Sequence, residues 1–300
     1  MYLYTCYEVT IGVPFPCRWL APAAVSDRPD VVVEDGDVPP RLDHPLASDR
    51  RFDAEPGRFL WRGGSRAGRF LVEEGRRVTV DRGPEAEDEM CAAQLLSQVL
   101  PAVMRQRGLA VLHADAVVAS GAAVGLTGAS GAGKTTTTVA LLDRAAAHLA
   151  DDALVLRRAP DRGVVALPGP ARLHLADDAA GRLGLDVGRS PRYPLRPAKA
   201  VVVPEARATT ATPLGALFVL GSHPGPELQT RRLRGAEAFS AIQDCIYGPL
   251  LPDGHRQVFP SLAAAADTVA VHVVRRPEGR WTAGEVAEVI LGLVAASLAE

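Results

Sequence analysis

Apolar residues along this chain fall mostly in short runs at strand spacing, with a few longer stretches at helical spacing. Residues 2–12 alternate β-branched and aromatic side chains and predict one strand that ends at Gly12. Residues 21–57 are rich in Pro, Asp and Arg and predict loops and short strands. Residues 58–62 and 69–72, around Gly63 and Gly64, predict a hairpin, and a turn at Glu74 and Gly75 leads into 76–80. Residues 88–107 have a helical period that puts Cys91, Leu95, Leu96, Val99, Val103 and Met104 on one face. Pro101 predicts a kink or an early end there. Residues 110–118 and 122–126 read as two strands joined at Ser120 and Gly121, hence a hairpin. Residues 135–147 read as a helix and 148–156 as a buried strand.

The later half is less regular. Residues 157–214 alternate between loops and short elements, with strands predicted at 201–203, 216–220 and 270–274. A helix is predicted over 235–247, and a Pro, Gly, Asp and His loop over 249–255. At the C-terminal end, Thr282 and Glu285 have capping-box spacing, and Val286, Val289, Ile290, Leu293, Val294 and Leu298 form one apolar face. That pattern predicts a core-facing helix. The chain therefore reads as α/β, with a small, mostly β module over 1–86 and a larger domain over 87–300.

Composition narrows the function classes. A 47% hydrophobic share and a formal net charge of −2 describe a globular chain with a core and give no electrostatic case for nucleic acid or an anionic membrane. Cys6, Cys17, Cys91 and Cys245 are scattered without a C-x-x-C pair, which predicts reduced thiols and no zinc site. No secretory signal and no bilayer-length apolar run is visible, so the expected location is cytoplasmic. Arg62, Arg66 and Arg69 suggest a basic patch for an acidic peptide; a solvated strand face is the stronger reading.

The chemistry concentrates at Gly128-Ala129-Ser130-Gly131-Ala132-Gly133-Lys134-Thr135, which fits G-x-x-x-x-G-K-[ST] at every fixed position. Small residues let successive backbone N–H groups turn inward around phosphate oxygens, at the start of a helix whose free amides favour anions. Lys134 is expected to reach the β- and γ-phosphates, Thr135 to help hold Mg²⁺, and Thr136 to lie within the nucleotide-binding segment. The chain is thus expected to bind a nucleoside triphosphate. Asp151 and Asp152 sit within an apolar stretch, where a carboxylate is costly without a partner such as a metal ion or a cation. Adjacent strand residues point to opposite faces, so both acids serve one site only if the strand ends or bulges there. A strand end with two solvated carboxylates is the competing reading. Arg189, Arg192, Arg196 and Lys199 lie in a Pro-rich segment that cannot be regular helix, and loop arginines suit a phosphate site as well as a plain surface.

Taken together, Leu112-His113-Ala114, the Gly-rich loop and Leu149-Ala150-Asp151-Asp152 resemble, in that order, the HPr kinase/phosphorylase family. Ser130, at the third loop position, agrees with that family's version of the motif. The match is dense over 109–157, and the N-terminal module looks more like divergent members associated with ribosomally made peptides, lasso peptides among them. The resemblance implies a P-loop kinase core of the type shared with phosphoenolpyruvate carboxykinase, with a mixed sheet. It implies ATP and Mg²⁺, and transfer of the γ-phosphoryl group to a serine hydroxyl of a peptide or small protein. By position, Lys134 and the loop amides hold phosphates, and Thr135 and Asp151 position Mg²⁺. Asp152 is the candidate base, with His113 in support. Arg192, Arg196 and Lys199 fall where the family has a mobile phosphate-site loop.

The family's bifunctional members carry a further signature with Glu and Arg-Gly, whereas residues 165–173 here contain no glutamate. The resemblance therefore does not extend to phosphorolysis or to HPr as the acceptor. Arg172 is a substitute phosphate contact or a surface arginine. Family members often form rings or dimers, so self-association is also implied. A small-molecule or carboxykinase-like phosphotransferase and a non-catalytic nucleotide sensor are the competing functions. Retention of both acids beside Lys134 and Thr135 weighs against the sensor.

Overall fold

The short apolar runs of the N-terminal region build a nine-stranded sheet. Its strands are β1 (Tyr2–Cys6), β2 (Val9–Val13), β3 (Ala21–Pro22), β4 (Val31–Asp35), β5 (Ala47–Ser48), β6 (Phe52–Glu55), β7 (Arg58–Arg62), β8 (Arg69–Glu73) and β9 (Arg77–Asp81). They lie in the order β3-β1-β2-β4-β9-β8-β7-β6-β5. The computed structural model describes residues 1–24, 28–160, 163–248 and 254–299. Residues 249–253 of the loop expected at 249–255 lie outside them.

The single strand expected over 2–12 is a hairpin. Tyr7 and Glu8 both take left-handed backbone (φ 52° and 60°) and turn the chain between β1 and β2. Aromatic alternation hid that turn, because neither residue is one of the usual turn formers. The meander β7-β8-β9 is antiparallel, as its turn residues predict.

The helical stretch at 88–107 belongs with this sheet. The first of two compact units comprises 1–111, 194–196 and 247–259, so its boundary falls at 111/112 and not at 86/87. Polar bonds explain the difference: Trp61 Nε1 donates to Gln94 Oε1 at 2.9 Å, and Cys91 Sγ lies 3.4 Å from Ala67 O. The predicted apolar face is fully enclosed. Pro101 does not end the helix. The segment runs as α1 (Asp88–Gln94), a π turn at Leu95–Val99, and α2 (Leu100–Gln106), so the proline sits in the first turn of α2. Proline has no N–H to give the preceding turn, and the Tyr247 hydroxyl donates to Ser97 O at 2.6 Å.

The expected basic patch is a set of ion pairs. Arg62 is bound to the enclosed carboxylate of Asp53, Arg66 to Glu87, and Arg69 to Asp81. Asp53 is also held by Ser48 and the Leu42 amide, and the Arg62 guanidinium keeps its carboxyl well below the usual carboxylate range. Arg62 is therefore a structural residue rather than part of a solvated face.

The second unit comprises 112–193, 197–246 and 260–300. After β10 (Ala110–Leu112) come β11 (Ala114–Ala119), β12 (Ala122–Gly128), α3 (Lys134–Leu142), β13 (Ala147–Ala150), β14 (Leu154–Ala159) and β15 (Gly163–Ala166). Then follow β16 (Leu173–Ala176), α4 (Asp177–Arg182), β17 (Arg192–Tyr193), β18 (Arg196–Val202), β19 (Thr212–His223) and β20 (Gln229–Leu233). The chain continues with α5 (Gly235–Gln243), α6 (Gly254–Thr268), β21 (Ala270–Pro277) and α7 (Ala283–Ala299). The main sheet runs β14-β15-β19-β12-β11-β13, with β21 on β19 and β20 on β21.

This sheet is mixed. β12, β19 and β21 are parallel neighbours, while β11 pairs antiparallel with β12 in the expected hairpin. The hairpin turn has φ 52° at Ser120 and 80° at Gly121, a backbone whose twist suits a two-residue loop. α3 packs against α7 over this sheet, in a core that includes Leu126, Leu141, Phe218, Leu220, Ile290 and Val294.

The expected capping box at α7 is not made. Thr282 Oγ1 is buried without a hydrogen-bond partner, and Glu285 pairs instead with Arg280 at 2.6 Å. The apolar face itself buries Val286, Ile290 and Val294 and half-buries Val289 and Leu293. α6 answers no sequence signal, since Pro260 lies inside it. Among the described residues, no helix is long and apolar enough to cross a membrane.

Candidate functional site

The Gly-rich loop occupies the carboxyl end of β12, at the end of the sheet where the parallel strands β12 and β19 finish side by side. This is the usual position for ligands in open α/β sheets. Gly128 must be glycine: its φ is 142°, and a Cβ there would stand 2.4 Å from Leu220 O on β19. Gly131 and Gly133 have φ 83° and 98°, a backbone that side chains rarely take; a Cβ would meet open space at Gly131 and ordinary contacts with Arg276 and Thr137 at Gly133. Ala129, Ser130 and Gly131 are exposed, Ala132 and Gly133 half-buried. Gly133 caps α3, so Lys134, Thr135 and Thr136 form its first turn. Lys134 is buried, and its Nζ donates to Gly128 O at 2.9 Å, across the loop it is expected to serve.

The helix expected over 135–147 stops at Leu142, because Ala145 turns the chain with φ 63°. The strand expected over 148–156 is two strands, and Asp151 and Asp152 form the corner between them. The break answers the alternation problem. Asp152 has φ 67°, a conformation costing a non-glycine residue about 1 kcal/mol. The corner gives the two acids different surroundings. Asp151 is 7% exposed, whereas the Asp152 side chain is 34% exposed. Solvation of both acids, the competing expectation, does not hold for Asp151.

His113 also sits at a break, between β10 and β11, with its amide bonded to Cys245 O at 2.6 Å. Its Nδ1 stands 3.8 Å from Asp152 Oδ1. His113, α3 and the aspartate corner are thus joined around β11. The fourth member of the group was not singled out from sequence. Asp115, on β11, is 1% exposed; its Oδ1 accepts the Asp152 amide at 3.0 Å, and Thr138 Oγ1 on α3 lies 3.3 Å from its Oδ2. The antiparallel register Ala116↔Ala150 brings the corner to this point. A lone carboxylate in an otherwise apolar strand was the available signal. Burial and the neighbouring Asp151 push its carboxyl up to about 8.

Asp151 has its own enclosure. Burial, then repulsion from Asp152, raises its carboxyl above the ordinary range, opposed by Arg172, Lys199 and Lys134. His174 Nδ1 on β16 stands 3.0 Å from its Oδ2. The His174 ring stacks on Tyr193 at 3.7 Å between centroids, and the Arg172 guanidinium lies over the same Tyr193 ring at 5.3 Å. Neither His174 nor Tyr193 carries a motif, and only the tertiary fold brings them here. Arg172 is 3% exposed, so the surface-arginine reading is corrected.

The loop cations separate. Lys199, on β18, acts on Asp151, whereas Arg192 is exposed and paired with Asp177 at 2.6 Å, and Arg196 belongs to the first unit. Residues 196–202 form a strand of a three-stranded sheet in the order β16-β18-β17. Arg276, at the end of β21, reaches the Gly-rich loop with no motif to announce it, its Nη2 lying 3.4 Å from Gly131 O.

A divalent cation fits this donor set. Asp151 Oδ2 is enclosed against His174 Nδ1 at 3.0 Å, a position where a proton or a cation offsets the buried carboxylate. Among the described residues, no cluster of three or more His, Cys, Asp or Glu could hold a metal alone. Mg²⁺ commonly takes one or two carboxylates and completes its shell with phosphates and water.

No protein-family model and no curated protein matches the chain. Among solved structures, it is similar to the structure of the Hpr(Ser) kinase/phosphatase from Coxiella burnetii. That likeness has 14% sequence identity and a TM-score of 0.33, over 63% of this chain and 96% of the other.

Proposed function

We propose that the second unit is an ATP-dependent phosphotransferase that moves the γ-phosphoryl group to a serine hydroxyl of a peptide or small protein, with a ribosomally made precursor peptide as the substrate class. The observation that carries this reading is the pairing of two unlike carboxylates beside a P-loop. Asp151 is enclosed among Lys134, Arg172 and Lys199, and Asp152 is accessible next to His113. Phosphoryl transfer asks mainly for positioning and charge neutralisation, with one carboxylate in reach of the nucleophile.

In this reading, Lys134 exchanges its bond to Gly128 O for phosphate oxygens, and the loop amides other than that of Ala132, which donates to Ala129 O at 3.0 Å, face the phosphate chain. Thr135 and Asp151 would hold Mg²⁺, which would supply charge neutralisation when bound. Asp152 takes the proton of the serine hydroxyl as the serine oxygen bonds to phosphorus and the bond to the leaving phosphate oxygen breaks. His113 lies beside Asp152 and orients it. Arg172 and Lys199 oppose the burial that raises the Asp151 carboxyl and so favour the ionised form that a cation needs.

The test is incubation of the protein with Mg-ATP and serine-containing peptides, read by mass spectrometry for an added phosphate. Asp152→Asn tolerates the left-handed backbone and should cut turnover by about 10²-fold or more while nucleotide affinity holds. Full activity in that variant would remove Asp152 from the role of base. Lys134→Ala should weaken nucleotide binding by about tenfold to a hundredfold. Unchanged affinity there would sink the P-loop assignment itself.

A further inference from the structure

We infer that Asp115 is a positioning residue for Asp152, wedged between the P-loop helix and the aspartate corner so that the two move as one piece. The inference rests on the phosphotransfer reading above, and it assigns a purpose to a buried acid which that reading does not use.

The geometry is specific. Asp152 has a left-handed backbone (φ 67°), and its own amide is bonded to Asp115 Oδ1 at 3.0 Å. The other oxygen of Asp115 lies 3.3 Å from the hydroxyl of Thr138. Thr138 is one turn beyond Lys134, and its hydroxyl is also 3.1 Å from Lys134 O. A path of hydrogen bonds therefore runs from the turn that carries Lys134, through Thr138 and Asp115, to the amide of Asp152. The two side chains that carry the path are enclosed: Thr138 is 0% exposed and Asp115 1%.

The proton count shows what kind of side chain the wedge must be. Thr138 has a single hydroxyl proton. If Lys134 O takes it, as the turn spacing favours, the bond to Asp115 needs a donor on Asp115. The groups facing Asp115 are Asp151, Asp152 and Lys134, so two of the three disfavour a further anion beside them. A neutral wedge that accepts on one atom and donates on the other meets both bonds. Asparagine has that pattern: its amide oxygen can accept the Asp152 N–H, and its NH₂ can donate to Thr138.

The test compares Asp115→Ala and Asp115→Asn in the full chain, with two readouts. The first is hydrogen exchange of the Asp152 backbone amide, followed by NMR, which needs no turnover. The second is kcat, KM for ATP and Mg-ATP affinity. Asp115→Ala should speed Asp152 exchange at least tenfold and lower kcat by about tenfold to a hundredfold, with little change in Mg-ATP affinity. Asp115→Asn should recover both exchange protection and kcat. Thr138→Ala, which frees the wedge from the helix side, should speed the same exchange and covers the case in which Asp115→Ala fails to fold.

Unaltered Asp152 exchange in Asp115→Ala overturns the inference even if the native chain is active. An Asn variant as damaged as the Ala variant also overturns it, because Asp115 would then act as a charged participant. A native chain that phosphorylates no peptide defeats the functional reading instead, and the exchange data identify which of the two has failed.

Discussion

Gly128 packs with only 2.4 Å between its missing Cβ and Leu220 O, so the Gly-rich loop is held against β19 by the absence of a side chain. Gly128→Ala should therefore lower both stability and nucleotide affinity, by a few kcal/mol for a forced core contact and an unfavourable backbone; calorimetric unfolding and titration with Mg-ATP check this. Asp115 makes a second prediction at the same scale. Its carboxyl is raised from 3.8 to about 8 on folding, so between those values the native state binds a proton that the unfolded chain has released. Stability contributed by the neutral acid is fully present at low pH and is lost as pH rises towards 8, with a slope of up to about 1.4 kcal/mol per pH unit for one proton. Asp151 shifts the same way. His148 opposes them at lower pH. Burial lowers it to about 4, so its contribution is lost as pH falls from 6.5 to about 4. The clean window is pH 6.5–8. Denaturant unfolding of the nucleotide-free protein should show stability falling across it, with a shallower fall in Asp115→Asn.

At the scale of elements, turns departed from expectation more than strands or helices did. Apolar periodicity located the face of residues 88–106 and of α7, since burial of one stripe is what makes such a helix form. It could not locate turns made by Tyr7, Glu8, Ala145 and Asp152, because each takes positive φ without being glycine. Nor could it tell that Pro101 would be accommodated by a π turn. Tyr247→Phe tests that device. Removing the hydroxyl that donates to Ser97 O should cost about 1 kcal/mol, read as a shift in denaturation midpoint. A neutral outcome would mean that the turn satisfies Ser97 O without Tyr247. Thr282→Val should cost little or stabilise, because its buried hydroxyl makes no hydrogen bond.

On the scale of the molecule, the chain forms two compact units between which the backbone crosses five times. The first unit draws on 194–196 and 247–259 as well as the N-terminal 111 residues. Composition shifts along the sequence mark a boundary only where the chain crosses once, so the added segments had no local signal. The candidate site lies within the second unit. Mg-ATP should therefore stabilise the protein by mass action, by about 2.7 kcal/mol at a hundredfold excess over its dissociation constant. Lys134→Ala should blunt that shift in thermal unfolding.

The sequence by itself determined the parts whose chemistry is local: the Gly-rich loop with Lys134 and Thr135, the strand before it, and the adjacent acids Asp151 and Asp152. Backbone conformation and helix-terminal amides depend on nearest neighbours, so a contiguous motif records them. Only the tertiary structure decided which acid is enclosed and which is accessible, because that depends on a corner at Asp152 and on the β11–β13 register. It alone brought Asp115, His174 and Tyr193 to the aspartates, kept Lys199 and Arg172 near Asp151, and directed Arg192 to Asp177. The field at a buried carboxylate is summed over groups distant in the chain, and no spacing along the sequence encodes that sum.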